Sequence, residues 1–161
     1  MPSHDHDFIR QAISLAGMAR QQGEYPFGAV LVVNQQIVHQ ATDRCMSTSD
    51  PTAHAELLLI SEYCRQQHLL DLDGYTLYSS VEPCVLCAGA IKWARISRVV
   101  FSVSQAMLQE MTGGRPKPSC FDLVNTGGRS IVVDGPLLPD EGLAVFDGFD
   151  FTPKRARSRQ V

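Results

Sequence analysis

No apolar run in this sequence exceeds five residues, Ala29–Val33. A helix that crosses a bilayer needs about 20, so a helical membrane protein is excluded. The opening Met-Pro-Ser-His-Asp-His-Asp has neither a basic n-region nor an apolar h-region, so no secretory signal is expected and a cytoplasmic location is. Internal repeats are lacking, as is low complexity outside the last few residues, which excludes disorder of the whole. Basic charge is also scarce in the body of the chain. Residues 1–153 hold ten Lys and Arg against seventeen Asp and Glu, a net of −7, which argues against a broad nucleic-acid surface. The other four, Lys154, Arg155, Arg157 and Arg159, crowd into the final eight residues. A solvated terminus and a phosphate-seeking arm both fit that tail.

What is present suits one domain with a sizeable core: 161 residues, 44% of them apolar. Residues 1–153 are expected to form that single domain, and 154–161 a flexible tail. Phe8 to Met18 has apolar residues spaced near 3.6, an amphipathic helix with Ser3 or Asp5 as cap and Gly23 as its end. Ala29–Val33, Asn34-Gln35-Gln36 and Ile37–Ala41 read as a hairpin. A loop runs from Asp43 to Pro51, and Asp50-Pro51 reads as the cap and first position of a helix reaching about Gln67. Tyr75–Ser80 and Arg98–Val103 are strands, with a helix from Cys84 to Ala94 between them. Beyond Gln105 a short helix near Ala106–Glu110, a Gly/Pro loop over 113–118, a strand at Ile131–Val133 and a helix over Pro139–Phe149 are expected. This order implies an α/β fold, a three-layer α-β-α sandwich on a mixed five-stranded sheet.

Cysteine occurs five times, at 45, 64, 84, 87 and 120. An odd count without an export signal is a poor disulfide framework. Cys84 and Cys87 stand one turn apart at a helix start marked by Pro83. The positive end of a helix lowers thiol pKa values and prepares both sulfurs as thiolates, half of a zinc site. A redox pair is the alternative, but redox chemistry has no use for a nearby His-x-Glu. His54 opens the other proline-marked helix, whereas His4, His6, His39 and His68 read as surface residues. Two helices starting side by side at one edge of the sheet would gather His54, Cys84 and Cys87 around a point, leaving zinc's fourth position to water.

Glu56 stands two residues from His54, off its face of a regular helix, so it is not expected as a ligand. It can still reach the open side of the metal. Zinc with two thiolates and an imidazole is formally neutral and acidifies water weakly, so a carboxylate must help move the proton. Water would then add to an amidine-like ring carbon and ammonia would leave.

His54-Ala55-Glu56 followed by Pro83-Cys84-Val85-Leu86-Cys87 is the pattern of zinc nucleobase deaminases. With Pro26-Phe27-Gly28-Ala29-Val30, Asp50-Pro51-Thr52-Ala53 and Trp93-Ala94-Arg95, the stretch from Phe8 to Val103 resembles the cytidine deaminase superfamily, in particular its guanine deaminase and tRNA adenosine deaminase branch. The resemblance implies a cytidine deaminase-like fold and one Zn²⁺ per chain held by His54, Cys84 and Cys87, with Glu56 shuttling protons. It places Phe27, Ala29, Asp43 and Trp93 at the substrate, Phe27 and Trp93 being nearer the guanine deaminase pattern. Asp43 stands where the branch usually has Asn; a carboxylate there only accepts hydrogen bonds, so the ligand itself would have to satisfy it. Core packing is the plainer role for Phe27 and Trp93.

The implied activity is hydrolytic deamination of a small amino-substituted heterocycle, guanine or a related purine base or nucleoside first. A tRNA adenosine deaminase is the alternative, then a cytosine- or pterin-like deaminase. A structural zinc protein would instead need a fourth ligand from Cys45, Cys64, Cys120 or His39. Members of the branch usually pair, so a homodimer is expected. Phe146, Phe149 and Phe151 are open between completing a neighbour's pocket and packing the last helix.

Overall fold

The computed structural model describes residues 4–151; the basic tail lies outside them. Five strands form one sheet in the order β2-β1-β3-β4-β5: β1 (Gly28–Val33), β2 (Gln36–Thr42), β3 (Thr76–Val81), β4 (Arg98–Val103) and β5 (Val132–Asp134). β1 runs antiparallel to β2 and β3, while β3, β4 and β5 are parallel, so the sheet is mixed. The hairpin turns through Asn34 and Gln35, both at positive φ, the two-residue geometry that matches strand twist.

Alternation along the strands divides the core in two. Val30, Val32, Tyr78 and Val100 face α1 (Asp5–Gln21), meeting Ile9, Ala12 and Leu15. Ala29, Leu31, Leu77 and Val99 face the other layer, formed by α3 (Ala55–Gln67), α4 (Val85–Trp93) and α6 (Cys120–Val124), and meet Leu59, Ile91 and Val124 there. The short α2 (Cys45–Thr48) lies in the loop before α3, α5 (Gln105–Thr112) follows β4, and α7 (Pro139–Ala144) packs on β4. The expected three layers are present. None of the described helices is long and apolar enough to cross a membrane.

Gly28 explains the Pro26-Phe27-Gly28 motif. A Cβ there would lie 2.5 Å from the Ala12 carbonyl oxygen and 2.7 Å from the Ala16 nitrogen, so only glycine lets α1 lie directly on β1.

Several boundaries differ from expectation. The first helix is capped by His4, and Asp5 spends its carboxylate on Arg98 and Tyr78 rather than on the helix end. Asp50 starts no helix. Its carboxylate accepts from the backbone N–H and hydroxyl of Thr52, a local turn, and α3 begins five residues later with His54 as cap residue. The last helix stops at Ala144, and Phe146, Phe149 and Phe151 pack within the chain. Phe146 sits 5.9 Å from Phe27 and 5.6 Å from Phe151, ring centre to ring centre. α2 and α6, five residues or fewer, carry too little periodicity to be read.

Candidate metal centre and active site

The site lies where β3 and β4 end and β1 begins, at the carboxyl edge of the parallel strands, the usual place for ligands in such sheets. His54 and Cys84 are the residues from which α3 and α4 start; both are extended, and both helices aim their positive ends at the same point. Cys87 follows one turn into α4. His54 Nδ1 is 3.5 Å from the Sγ of Cys84 and 3.5 Å from the Sγ of Cys87. A tetrahedral zinc with bonds of about 2.0–2.1 Å to nitrogen and about 2.3 Å to sulfur separates such atoms by about 3.5 Å. The donor set therefore fits one zinc ion, and it is the cluster of metal-ligating type among the described residues.

Charge is arranged for a cation. Its hydrogen bond with Cys87, and after it that with His54, pulls the Cys84 thiol down to about 3 against the cost of burial. Cys87 is pushed up, first by its hydrogen bond to Cys84 and then by burial. The pair is thus biased toward giving up protons to a bound cation, and metal binding would release them. His54 is raised, chiefly by the Cys84 sulfur beside it.

Glu56 is buried, 7% exposed, and its Oε2 lies 3.5 Å from the Cys87 sulfur. Its other oxygen accepts a hydrogen bond of 2.8 Å from the Ser79 hydroxyl. Burial raises its carboxyl above the usual range, with Ser79 opposing. A carboxyl tuned upward and held by a fixed donor is suited to taking and returning a proton.

A cavity of about 200 Å³ opens onto these groups, with Phe27, Val81 and Leu108 as apolar walls and Glu82, Gln105 and Lys117 as further lining. Of the four expected substrate contacts, Phe27 lines it. Ala29 is buried within β1 between Ala41 and Ser79, and is not among the lining residues. Asp43 is buried but turned to Cys45, whose backbone N–H donates at 3.0 Å and whose thiol lies 3.5 Å away. Its carboxylate is therefore satisfied within the chain, and burial raises its pKa. Trp93 is 87% exposed at the far end of α4, about 13.5 Å along the helix axis from Cys84. It serves neither the core nor its own chain's pocket.

Cys45, Cys64, Cys120 and His39 stand outside the cluster. Cys120 is buried, with its thiol pushed up to about 12, chiefly by that burial. Ser79, Glu82 and Gln105 were not singled out from the sequence. The polar Ser79-Ser80 pair inside an otherwise apolar strand was the available signal for the first.

Comparison with known proteins agrees with this chemistry. Residues 2–103 match the cytidine and deoxycytidylate deaminase zinc-binding region. A probable cytosine deaminase of Schizosaccharomyces pombe is 33% identical over 151 residues, spanning 90% of this chain and 91% of that protein. A tRNA-specific adenosine deaminase of Bacillus subtilis is 40% identical over 99 residues, 62% of each chain, so that match leaves over a third of the relative uncovered. The solved guanine deaminase of Bacillus subtilis superposes with a TM-score of 0.63 at 27% identity, covering 95% of this chain and 98% of that one. With its ligand triad, buried glutamate and strand-edge pocket, the chain belongs to the zinc-binding cytidine and deoxycytidylate deaminase family and is an enzyme of that deaminase class.

Proposed function

We propose that the protein deaminates a free amino-substituted heterocyclic base, a purine such as guanine first, with His54, Cys84 and Cys87 holding zinc and Glu56 moving protons. The observation that carries this reading is the small cavity over the triad. At about 200 Å³ it falls below the usual 300–1,000 Å³ of ligand pockets and suits one flat ring system between apolar walls. Zinc, when bound, supplies the Lewis acidity that makes water nucleophilic near neutral pH.

Phe27, Val81 and Leu108 confine the ring and exclude bulk water. Glu56 takes one proton from the attacking water and gives it to a ring nitrogen, then takes the second from the hydroxyl added to the ring carbon and gives it to the amine. The carbon–nitrogen bond breaks, its electron pair leaves with ammonia, and the ring retains a carbonyl. Ser79 holds the glutamate on line through both transfers.

Lys117 is the cation among the residues lining the cavity, a thin track for the phosphates of an anticodon loop. A pyrimidine is the second reading, favoured by the near full-length likeness to the fission yeast protein. Pairing of two copies remains part of the proposal. Val85, Leu86 and Trp93 of α4, with Phe121 of the adjoining α6, leave apolar side chains exposed for it, and light scattering reads the outcome. Ammonia release from guanine, guanosine, adenine, cytosine, cytidine, a pterin and a tRNA anticodon stem-loop tests the substrate. Turnover of guanine is expected, and activity on the stem-loop alone would overturn the reading.

A further inference from the structure

Gln105 is the first residue of α5, directly after β4, and only 7% of it is exposed. Its backbone N–H donates to one carboxylate oxygen of Glu82 at 2.9 Å, and its side-chain Nε2 donates to the Glu82 carbonyl at 2.6 Å. A carbonyl oxygen only accepts, so the amide nitrogen must be the atom facing it, and the orientation of the amide is fixed. The remaining atom, Oε1, is buried with no hydrogen-bond partner among the described residues. Gln105 lines the cavity that His54, Glu56 and Cys84 also line.

Burying an acceptor without a donor is costly, so an unpaired one on a residue that lines a pocket points to a donor brought by the ligand. Glu82 makes the arrangement rigid. Its second carboxylate oxygen accepts from the Cys120 backbone N–H at 2.6 Å, tying the starts of α5 and α6 to the turn that carries Cys84.

We propose that Gln105 is a specificity-determining residue: its amide oxygen accepts a hydrogen bond from a ring N–H or second amino group of the substrate. This deepens the free-base reading and rests on it. Guanine and cytosine each keep a ring N–H beyond the amine that departs. Cytidine and adenosine keep none on the ring, because the sugar occupies the nitrogen that would carry it. A neutral, pre-positioned acceptor therefore favours cytosine over cytidine, and guanine, which keeps its N1–H even when N9 bears a sugar, over adenosine.

The test uses the zinc-loaded full chain with guanine, cytosine and their ring N-methylated counterparts, measured as kcat/KM for ammonia release. In the wild type, methylating the nitrogen that faces Gln105 is expected to cost about 10- to 100-fold. In Gln105→Met, which has similar length and no polar end, that difference should shrink to about threefold or less, with zinc content unchanged. Gln105→Leu gives the same reading should Gln105→Met not fold. Equal wild-type turnover of methylated and unmethylated bases, or full discrimination retained in the variant, overturns the assignment alone. Failure of the wild type on every free base overturns the functional reading and the assignment with it.

Discussion

The two ends of the sheet treat their polar groups in opposite ways. At the amino edge of the parallel strands, Arg98 places two guanidinium nitrogens on the Asp5 carboxylate at 2.8 and 3.0 Å, and its Nε donates to Asp134 at 2.7 Å. The Tyr78 hydroxyl donates to Asp5 at 2.6 Å. Every group there is answered from within the chain, joining α1, β3, β4 and β5. At the carboxyl edge, three metal-type donors converge, a buried carboxyl faces a sulfur, and an amide oxygen has no partner among the described residues. A closed polar network builds the fold, whereas an incomplete one awaits what it binds.

Substitutions should separate the two ends. Glu56→Gln is expected to reduce kcat by about 10²–10⁴-fold while zinc, measured by metal analysis, stays at one per chain. Cys87→Ala should lose both. Zinc loss from Glu56→Gln would break the distinction between ligand and proton carrier. At the other edge, Arg98→Leu strands the Asp5 carboxylate, which is 1% exposed, and should cost about 3 kcal/mol in denaturant unfolding. Activity per folded molecule should be unchanged.

Gly28→Ala stands at the carboxyl edge but against α1 and should cost about 1–3 kcal/mol through the clash with that helix, read as a lowered unfolding midpoint. A smaller effect comes from pH. Burial alone would raise the Asp5 pKa, but hydrogen bonds from Arg98 and Tyr78 outweigh it and hold the carboxyl below its ordinary 3.8. A depressed folded pKa stabilises above the unfolded value and loses that contribution as pH falls through the folded one. Acid unfolding should thus steepen below about pH 4, and Asp5→Asn should flatten that limb. Least affected is the single folded copy in Trp93→Ser, expected to shift its stability by under about 0.5 kcal/mol, with the loss confined to the proposed pairing and read by light scattering.

The carboxyl-edge chemistry was largely legible in the chain. His54, Glu56, Cys84 and Cys87 sit in two short segments, each at the start of a helix, so local spacing already implied their convergence. β4 was legible to the residue, because Val99, Val100 and Phe101 form a run bounded by polar positions. The other polar contacts were not legible, because they depend on partners far along the chain. Asp5 and Arg98 are 93 residues apart, and Cys120 and Glu82 are 38 apart. Asp43 shows the converse: assigned to the ligand from its position in a motif, it is satisfied by the backbone two residues on.

The scarcities that open the sequence retain their meaning in part. The short apolar runs became the alternating faces of strands buried on both sides, since period-two alternation is a property of the chain itself. The odd set of cysteines was divided by spacing into a pair and three others, and the nearby His-x-Glu turned the pair toward metal. Which polar groups would be left without a partner was decided only by the tertiary structure. Hydrogen-bond saturation is a property of everything packed around an atom, and Gln105 Oε1 became the exception only when β4, α5 and the Glu82 turn met.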